Sequence, residues 1–383
     1  MSERADHPDS LRPAFAGAAA TFSGIGLGRF AYVPLFPAMV SAGWVTGAEG
    51  ALIGASNLAG YLVGVLGGPS VARRIGTAAA LDCGMLLGMV GFGACAFDLG
   101  AAWFLLWRFV SGVGGGLLMA LAGPAVQGTV RAARRGVAGG IVVSGIGFGI
   151  VVASAAIPAL VPLGLSVAWA ALAAIVGLLW LLARPSWPRT PIPPTPAAIP
   201  ARSLVLQTAY GISGGGLVPH MVYFADLAVR GYGFAPSFGS LLWLIFGTGA
   251  LAGTLLGGRL ADRLGALTSF RLWLAFQVVA LAAALSGNTV LLLLSGFAGG
   301  FSALGLAAIA LARARELAGP AAGAVWVKTT AAFGIAQAVA GLALAALFAQ
   351  TGSHTAVFLT GLALSVAALL VSFLNADRAA APA

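Results

Sequence analysis

GGRLADRLG, from Gly257 to Gly265, and GGPSVARRIG, from Gly67 to Gly76, are two versions of one short loop. Gly258 and Gly68, then Arg263 and Arg73, are separated by the same 190 positions. At that offset the glycine-rich first apolar run overlies the seventh without a gap. Arg29 then falls opposite Pro219, beside His220. The chain is therefore read as a duplication, and the repeating unit is a set of apolar runs.

Those runs fill the sequence. The chain has 383 residues, 60% of them hydrophobic and 8% charged, with a mean hydropathy of +1.00. Soluble domains carry about 25% charged residues, so this composition needs a bilayer to take up its apolar surface. Glycine, at 56 residues, fits the same reading, because small residues let membrane helices approach closely. Runs of roughly 20 residues, each long enough to cross a ~30 Å hydrocarbon core, are expected at 13–40, 47–70, 77–97, 101–126, 138–161, 164–183, 204–227, 237–257, 267–286, 289–312, 321–348 and 353–374.

Charge placement gives the orientation. The net charge of +10 would suggest nucleic acid in a soluble protein. Here sixteen of the twenty basic residues fall on one side of the expected membrane and only Arg230 on the other. That is the positive-inside pattern and excludes a nucleic-acid face. Both termini are expected in the cytosol. The first dozen residues show no basic region followed by a cleavage site, so no signal peptide is read. The stretch RPSWPRTPIPPTPAAIPAR, residues 184–202, carries seven prolines and cannot continue a helix. It separates an expected N-terminal six-helix unit, 1–183, from a C-terminal one, 203–383. Cys83 and Cys95 lie twelve residues apart in one run, about 18 Å along a helix and too far for a disulfide.

Two six-helix halves, a cytosolic linker and a G-x-x-x-D-R-x-G loop resemble the major facilitator superfamily. Gly258, Asp262, Arg263 and Gly265 match the loop motif, while the first copy has Ala72 in place of the acid. FLLWRFVSGVGGG is similar to the family's second motif, with Arg108 as its intramembrane arginine. GIGLGRFAYVPLFPAM, in the first run, resembles the YbfB/YjiJ-type branch. The resemblance implies an all-α membrane protein of twelve transmembrane helices in two pseudo-symmetric bundles, acting as a secondary transporter by alternating access. It also implies that Gly258, Asp262, Arg263 and Gly265 form a gating loop. The fifth run, SGIGFGIVVASAAIP, lacks the Gly-Pro pair of the antiporter signature, which argues against drug:proton antiport.

Ionisable groups inside a bilayer cost about 2.5–3.5 kcal/mol each on insertion scales, so they are functional candidates by default. Arg29, Arg108 and Lys328, the chain's one lysine, fall within runs, and no carboxylate is expected at mid-membrane. The expectation is that all three line one positive cavity that binds an anion. The competing readings are bracing of helix carbonyls for the arginines and snorkelling to the surface for Lys328. Tyr32, three residues after Arg29, is expected on the same helix face as a fourth substrate contact. His220 is a candidate proton site or a packing residue. Asn57, Gln127, Trp326 and Gln337 are weaker candidates. The glycine clusters Gly24–Gly28, Gly112–Gly116 and Gly145–Gly149 are read as helix packing, because none follows a strand. No catalytic set, metal cluster or cofactor site is found, so no enzyme is expected.

The function expected is transport of a small organic anion such as a monocarboxylate, with proton symport. An efflux carrier for hydrophobic compounds is the alternative within transport, and a non-transporting sensor or assembly protein the alternative outside it. The partners expected are the solute, protons and the lipid bilayer, with the chain a monomer in a bacterial cytoplasmic membrane. Reporter fusions should place both termini and the 184–202 linker in the cytosol; an external linker or an odd number of crossings would refute this topology.

Overall fold

The computed structural model describes residues 10–189 and 200–374. Residues 1–9, the proline-dense centre of the 184–202 linker and the end of the C-terminal tail lie outside the described residues. Everything described is helix or connection, with no strand among the described residues.

The second to sixth helices run Gly47–Ile75, Thr77–Ala94, Ala101–Thr129, Arg135–Leu160 and Leu165–Ala183. The eighth to twelfth run Pro236–Leu264, Ala266–Ala284, Thr289–Ala318, Ala322–Thr351 and His354–Val371. Their ends follow ordinary rules. Thr46 and Glu49 form a reciprocal capping box at the start of the second helix. Asn288 and Ser353 cap the tenth and twelfth. The two loops of the repeated motif turn at Gly76 (φ 87°) and Gly265 (φ 82°), a conformation that disfavours any side chain.

Nine apolar helical stretches among the described residues are long enough to cross a membrane. One of these, Thr289–Phe348, contains the tenth and eleventh helices, which the short turn Gly319–Ala321 separates. The first and seventh segments are discontinuous. The first consists of Arg12–Thr21, a π-helical stretch Phe22–Phe30 and Tyr32–Ser41. The seventh consists of Ser203–Gly216, π turns at Pro219–Tyr223 and Leu227–Gly231, and Phe224–Asp226 between them. The runs expected at 13–40 and 204–227 are each covered by such a broken helical segment. Glycine crowding in one and Pro219 in the other loosen the i→i+4 ladder into i→i+5 bonding.

Glycine sets the packing. Gly60 and Gly64 of the second helix press against the carbonyls of Phe109 and Val113 on the fourth. Close to the same 190-position offset, Gly249 and Gly253 of the eighth press against the carbonyls of Phe297 and Phe301 on the tenth. The fifth and eighth helices join the N-terminal set to the C-terminal one in the same way. A Cβ at Gly140 would lie 2.7 Å from the Thr254 oxygen, and one at Gly147 would lie 2.8 Å from the Leu251 nitrogen. Burial follows this arrangement: the apolar window of the fourth helix is 78% buried, against 28% for the sixth and twelfth, which form the rim.

Gly112→Val would drive a side chain into the Asn57 carbonyl. Its detergent-solubilised yield and melting temperature should fall, by the ~1–3 kcal/mol typical of overpacking or more. Gly67→Val meets open space and should match wild type in the same thermal-shift assay.

Candidate functional site

Arg29 is the penultimate residue of the π-helical stretch of the first segment, and the surfaces on either side of it belong to different parts of the molecule. Ile25 and Phe30 pack into the cluster built mainly from C-terminal helices, whereas Leu27, Ala31 and Tyr32 pack into the N-terminal one. Arg29 is half-buried. Its guanidinium lies 5.6 Å from the Phe30 ring centroid and interacts electrostatically with Tyr61 of the second helix. Tyr61 in turn feels Tyr210 of the seventh segment, and Tyr210 stacks on Phe333 of the eleventh helix at 4.5 Å. The Phe30 ring is 6.2 Å from that of Trp243 on the eighth helix. At Gly334 the eleventh helix comes so close that an added Cβ would sit 3.0 Å from Leu62 and 3.5 Å from Tyr61.

Arg29 thus lies in the middle of the first segment with Phe30 and Tyr61 as its aromatic neighbours, and from these the ring contacts run on to the seventh, eighth and eleventh segments. No hydrogen bond or ion pair holds Arg29 among the described residues. The described carboxylates, Glu49, Asp82, Asp98, Asp226, Asp262 and Glu316, lie at or near helix ends. Such a cation attracts an anion.

The structure does not bring the other expected contacts to this place. Tyr32 turns away from Arg29, because i→i+5 winding through Phe30 breaks the three-residue register assumed for an α-helix. Its hydroxyl donates to the Gly50 carbonyl at 2.8 Å, and its ring lies 4.9 Å from the Arg108 guanidinium. Arg108 is 1% exposed, inside the N-terminal core, with Trp169 on another side at 5.8 Å. Its Nε and Nη1 have no hydrogen-bond partner. Asn57 fixes the backbone there, donating to the Arg108 carbonyl at 2.9 Å. Lys328 is exposed, on the helix stripe that continues through Ile335, Val339 and Leu342, all 50% exposed or more. The buried neighbours Val325, Trp326 and Val327 occupy the inward face, so the lysine points out of the molecule, the snorkelling geometry.

His220 lies apart from Arg29 as well. Ser295 donates to the Ala280 carbonyl at 2.8 Å, which leaves its oxygen to accept from His220 Nε2 at 2.9 Å. The ring is enclosed by Phe224 and Phe358, with centroids 4.9 and 5.7 Å away, and Nδ1 has no partner. Trp326 donates to the Met119 carbonyl at 3.0 Å, a bond from the eleventh helix to the fourth. Gln337 reaches the Met221 sulfur at 3.1 Å.

At the arginine-rich end, Asp262 carries a second element of the site. Its two oxygens accept from the backbone N–H groups of Gly136 at 2.9 Å and Val137 at 3.0 Å. These are the first free donors of the fifth helix, where the helix dipole favours an anion. Gly258 and Gly136 make the approach possible, since a Cβ on Gly136 would lie 2.5 Å from the Gly258 carbonyl. The expected gating loop thus joins the eighth helix to the fifth through Asp262, with Gly258 as spacer and Gly265 as turn. Arg263 is exposed and takes no part in that contact.

Tyr61 and Tyr210 are absent from the sequence-based candidates. The signal available was location: each is a polar-tipped aromatic inside an apolar run, Tyr61 at its middle, away from the interfacial belt where tyrosine is enriched.

These elements define a polytopic membrane transporter. The chain matches the family described as uncharacterised MFS-type transporter YbfB over residues 21–372, and it belongs to that family. Among solved structures it is similar to the human organic anion transporter MFSD10 (TETRAN), with a TM-score of 0.78 and 14% identity, covering 94% of this chain and 98% of that one. It is also similar to a variant of the E. coli fucose:proton symporter FucP (TM-score 0.73, 14% identity, 94% and 97% covered). The proton:xylose symporter XylE, bound to 6-bromo-6-deoxy-D-glucose, gives 0.73 and 13% identity, with 94% of each chain covered. Identities this low establish the shared fold alone. No curated protein matches the chain.

Asp262→Asn keeps the shape but leaves one of the two N–H groups facing an amide NH₂. Charge-assisted bonds contribute about 1.5–3 kcal/mol, so the contact should open roughly ten- to a hundredfold more often. In a background lacking Cys83 and Cys95, a cysteine at Ala132 should react correspondingly faster with a charged maleimide. Unchanged reactivity would mean that Asp262 does not hold this end shut.

Proposed function

We propose that the chain is a secondary transporter for a small organic anion, a monocarboxylate with an apolar body, taken up with a proton. Residues 1–183 rock against 203–383 across twelve membrane crossings. The protein acts as a monomer in a bacterial cytoplasmic membrane, with both termini in the cytosol. The observation that carries this reading is Arg29: a half-buried mid-membrane cation, without an ion pair, set between aromatic rings supplied by both sets of helices.

Arg29 binds the carboxylate by charge and hydrogen bonding. Tyr61 and Tyr210 supply hydroxyls beside it, while Phe30, Trp243 and Phe333 receive the apolar part. Substrate bound there touches both sets of helices, so its arrival couples them. Asp262 closes the cytosolic side while the site faces outward. With Lys328 outside the site, the anion reading rests on one cation rather than a clamp of two. Arg108 acts as a core brace stacked on Tyr32 and Trp169. A second reading, a carrier for hydrophobic compounds, draws on the aromatic wall itself.

Purified protein in proteoliposomes, offered labelled monocarboxylates under an imposed inward proton gradient, separates the two. Uptake should depend on the gradient and collapse with a protonophore. Arg29→Gln should lower it at least tenfold, with Arg29→Lys recovering part. Normal uptake by Arg29→Gln would remove the anion reading. Gradient-driven movement of neutral lipophilic dyes, unaffected by that substitution, would establish the second.

A further inference from the structure

A cleft of about 410 Å³ opens at the arginine-rich end, between the N-terminal and C-terminal helices and away from Arg29. Its size is within the ~300–1,000 Å³ range of small-ligand sites. Gln127 and Arg135 wall one side, from the end of the fourth helix and the start of the fifth. Arg315 and Glu316, at the end of the tenth helix, wall the other, with Asp262 beside them.

The charges in this cleft are unevenly committed. Both oxygens of Asp262 are taken by the N–H groups of Gly136 and Val137. Glu316 accepts from the Ala266 N–H at 2.8 Å with one oxygen and from Arg313 at 3.0 Å with the other. Neither carboxylate is turned to the arginines of the cleft. Arg135 spends its Nε on the Gln127 carbonyl at 3.2 Å, and Gln127 returns a bond to the Arg135 carbonyl at 3.4 Å. This leaves the outer nitrogens of Arg135 for a ligand. Arg315 has no hydrogen bond or ion pair among the described residues, although it is only half exposed. Arg135 and Arg315 repel one another across the gap. Two arginines lining one cleft from different helices, with the nearby carboxylates engaged elsewhere, lack the one thing an oxyanion supplies: acceptors for both forks at once.

We propose that this cleft is a binding site for a small free oxyanion of the phosphate class, bridged by Arg135 and Arg315 and separate from the Arg29 site. The anion converts a repulsive contact between the two sets of helices into an attractive one. It therefore adds to the Asp262 contact and favours the state closed at this end, which the proposed orientation turns to the cytosol. A cytosolic oxyanion thereby restrains the carrier without occupying its transport site. A lipid headgroup shares the phosphate chemistry, but the cleft lies between helix ends of both sets rather than on the lipid-facing rim.

The test uses the full-length protein in nanodiscs of phosphatidylcholine, with inorganic phosphate as the probe and chloride at matched ionic strength as reference. Thermal unfolding should shift upward and saturate with phosphate. The apparent Kd should rise at least tenfold in Arg315→Gln and in Arg135→Gln, and stay within twofold of wild type in Arg29→Gln and in Arg74→Gln, whose arginine lies outside the cleft. Phosphate should also slow maleimide labelling of a cysteine at Ala132, which lines the cleft, and Arg315→Gln should abolish that protection. The readout is binding and needs no transported substrate, so it stands or falls apart from the monocarboxylate reading. A shift lost in Arg29→Gln but kept in Arg315→Gln would move the anion to the central site and overturn the proposal. A shift equal in all variants, or reproduced by chloride, would reduce it to general salt stabilisation. Suppression of the shift by phosphatidylglycerol discs would assign the cleft to a lipid headgroup instead of a free anion.

Discussion

Backbone-to-backbone contact at glycine is the constraint on which the rest of this molecule depends. In a bilayer, helices gain little from hiding apolar surface from one another; what remains is van der Waals contact, and that grows as the backbones approach. The second helix lies on the fourth through Gly60, Gly64, Gly112 and Gly116, and the eighth on the tenth through Gly249, Gly253 and Gly300. The fifth and eighth meet through Gly140 and Gly147. At these glycines the contact is backbone on backbone, and side chains such as Asn57, which donates to the Arg108 carbonyl, add to it along the seam between the second and fourth helices. The same chemistry serves two ends: close pairs within each set of helices, and close contact between the sets.

The sets are not equivalent, and the departure from symmetry is chemical. Asp262 caps the fifth helix through two N–H groups. Its counterpart in the first copy of the loop is Ala72, 4% exposed, which has no acceptor to offer. The carboxylate-to-N–H contact at this end of the molecule therefore has no matching partner in the first copy of the loop. The cores differ as well. The N-terminal core encloses Arg108 between Tyr32 and Trp169, where the C-terminal core encloses His220 between Phe224 and Phe358. Each core places one nitrogen-bearing group among aromatic rings from its first and last segments, but only the N-terminal one has a permanent charge.

Much of this was legible from residue order. Length and hydropathy gave the helices, the two copies of the loop indicated a duplication, and the G-x-x-x-D-R-x-G spacing singled out Asp262, though not its partner on the fifth helix. Lateral direction was not legible. Arg29, Arg108 and Lys328 look alike in a hydropathy profile, since each is a cation inside an apolar run. A helix in lipid has apolar residues all round, so the usual amphipathic pattern that assigns a face is missing. The π-helical stretch compounded this by breaking the register between Arg29 and Tyr32. Tyr61 and Tyr210 escaped notice because an aromatic residue in an apolar run carries little contrast, and only the fold places them beside Arg29.

Lys328, turned outward on the eleventh helix, fixes something other than chemistry: height. It lies six residues beyond Ala322, about 9 Å along the axis, near the limit of what a four-carbon stem can recover for its ammonium at the membrane surface. Sliding that helix by one further turn, 5.4 Å, toward the opposite face would strand the charge in hydrocarbon at a cost of a few kcal/mol. Tilting about the membrane plane imposes no such cost. At that depth the one lysine would make a piston-like stroke of the eleventh helix costlier than a tilt of it.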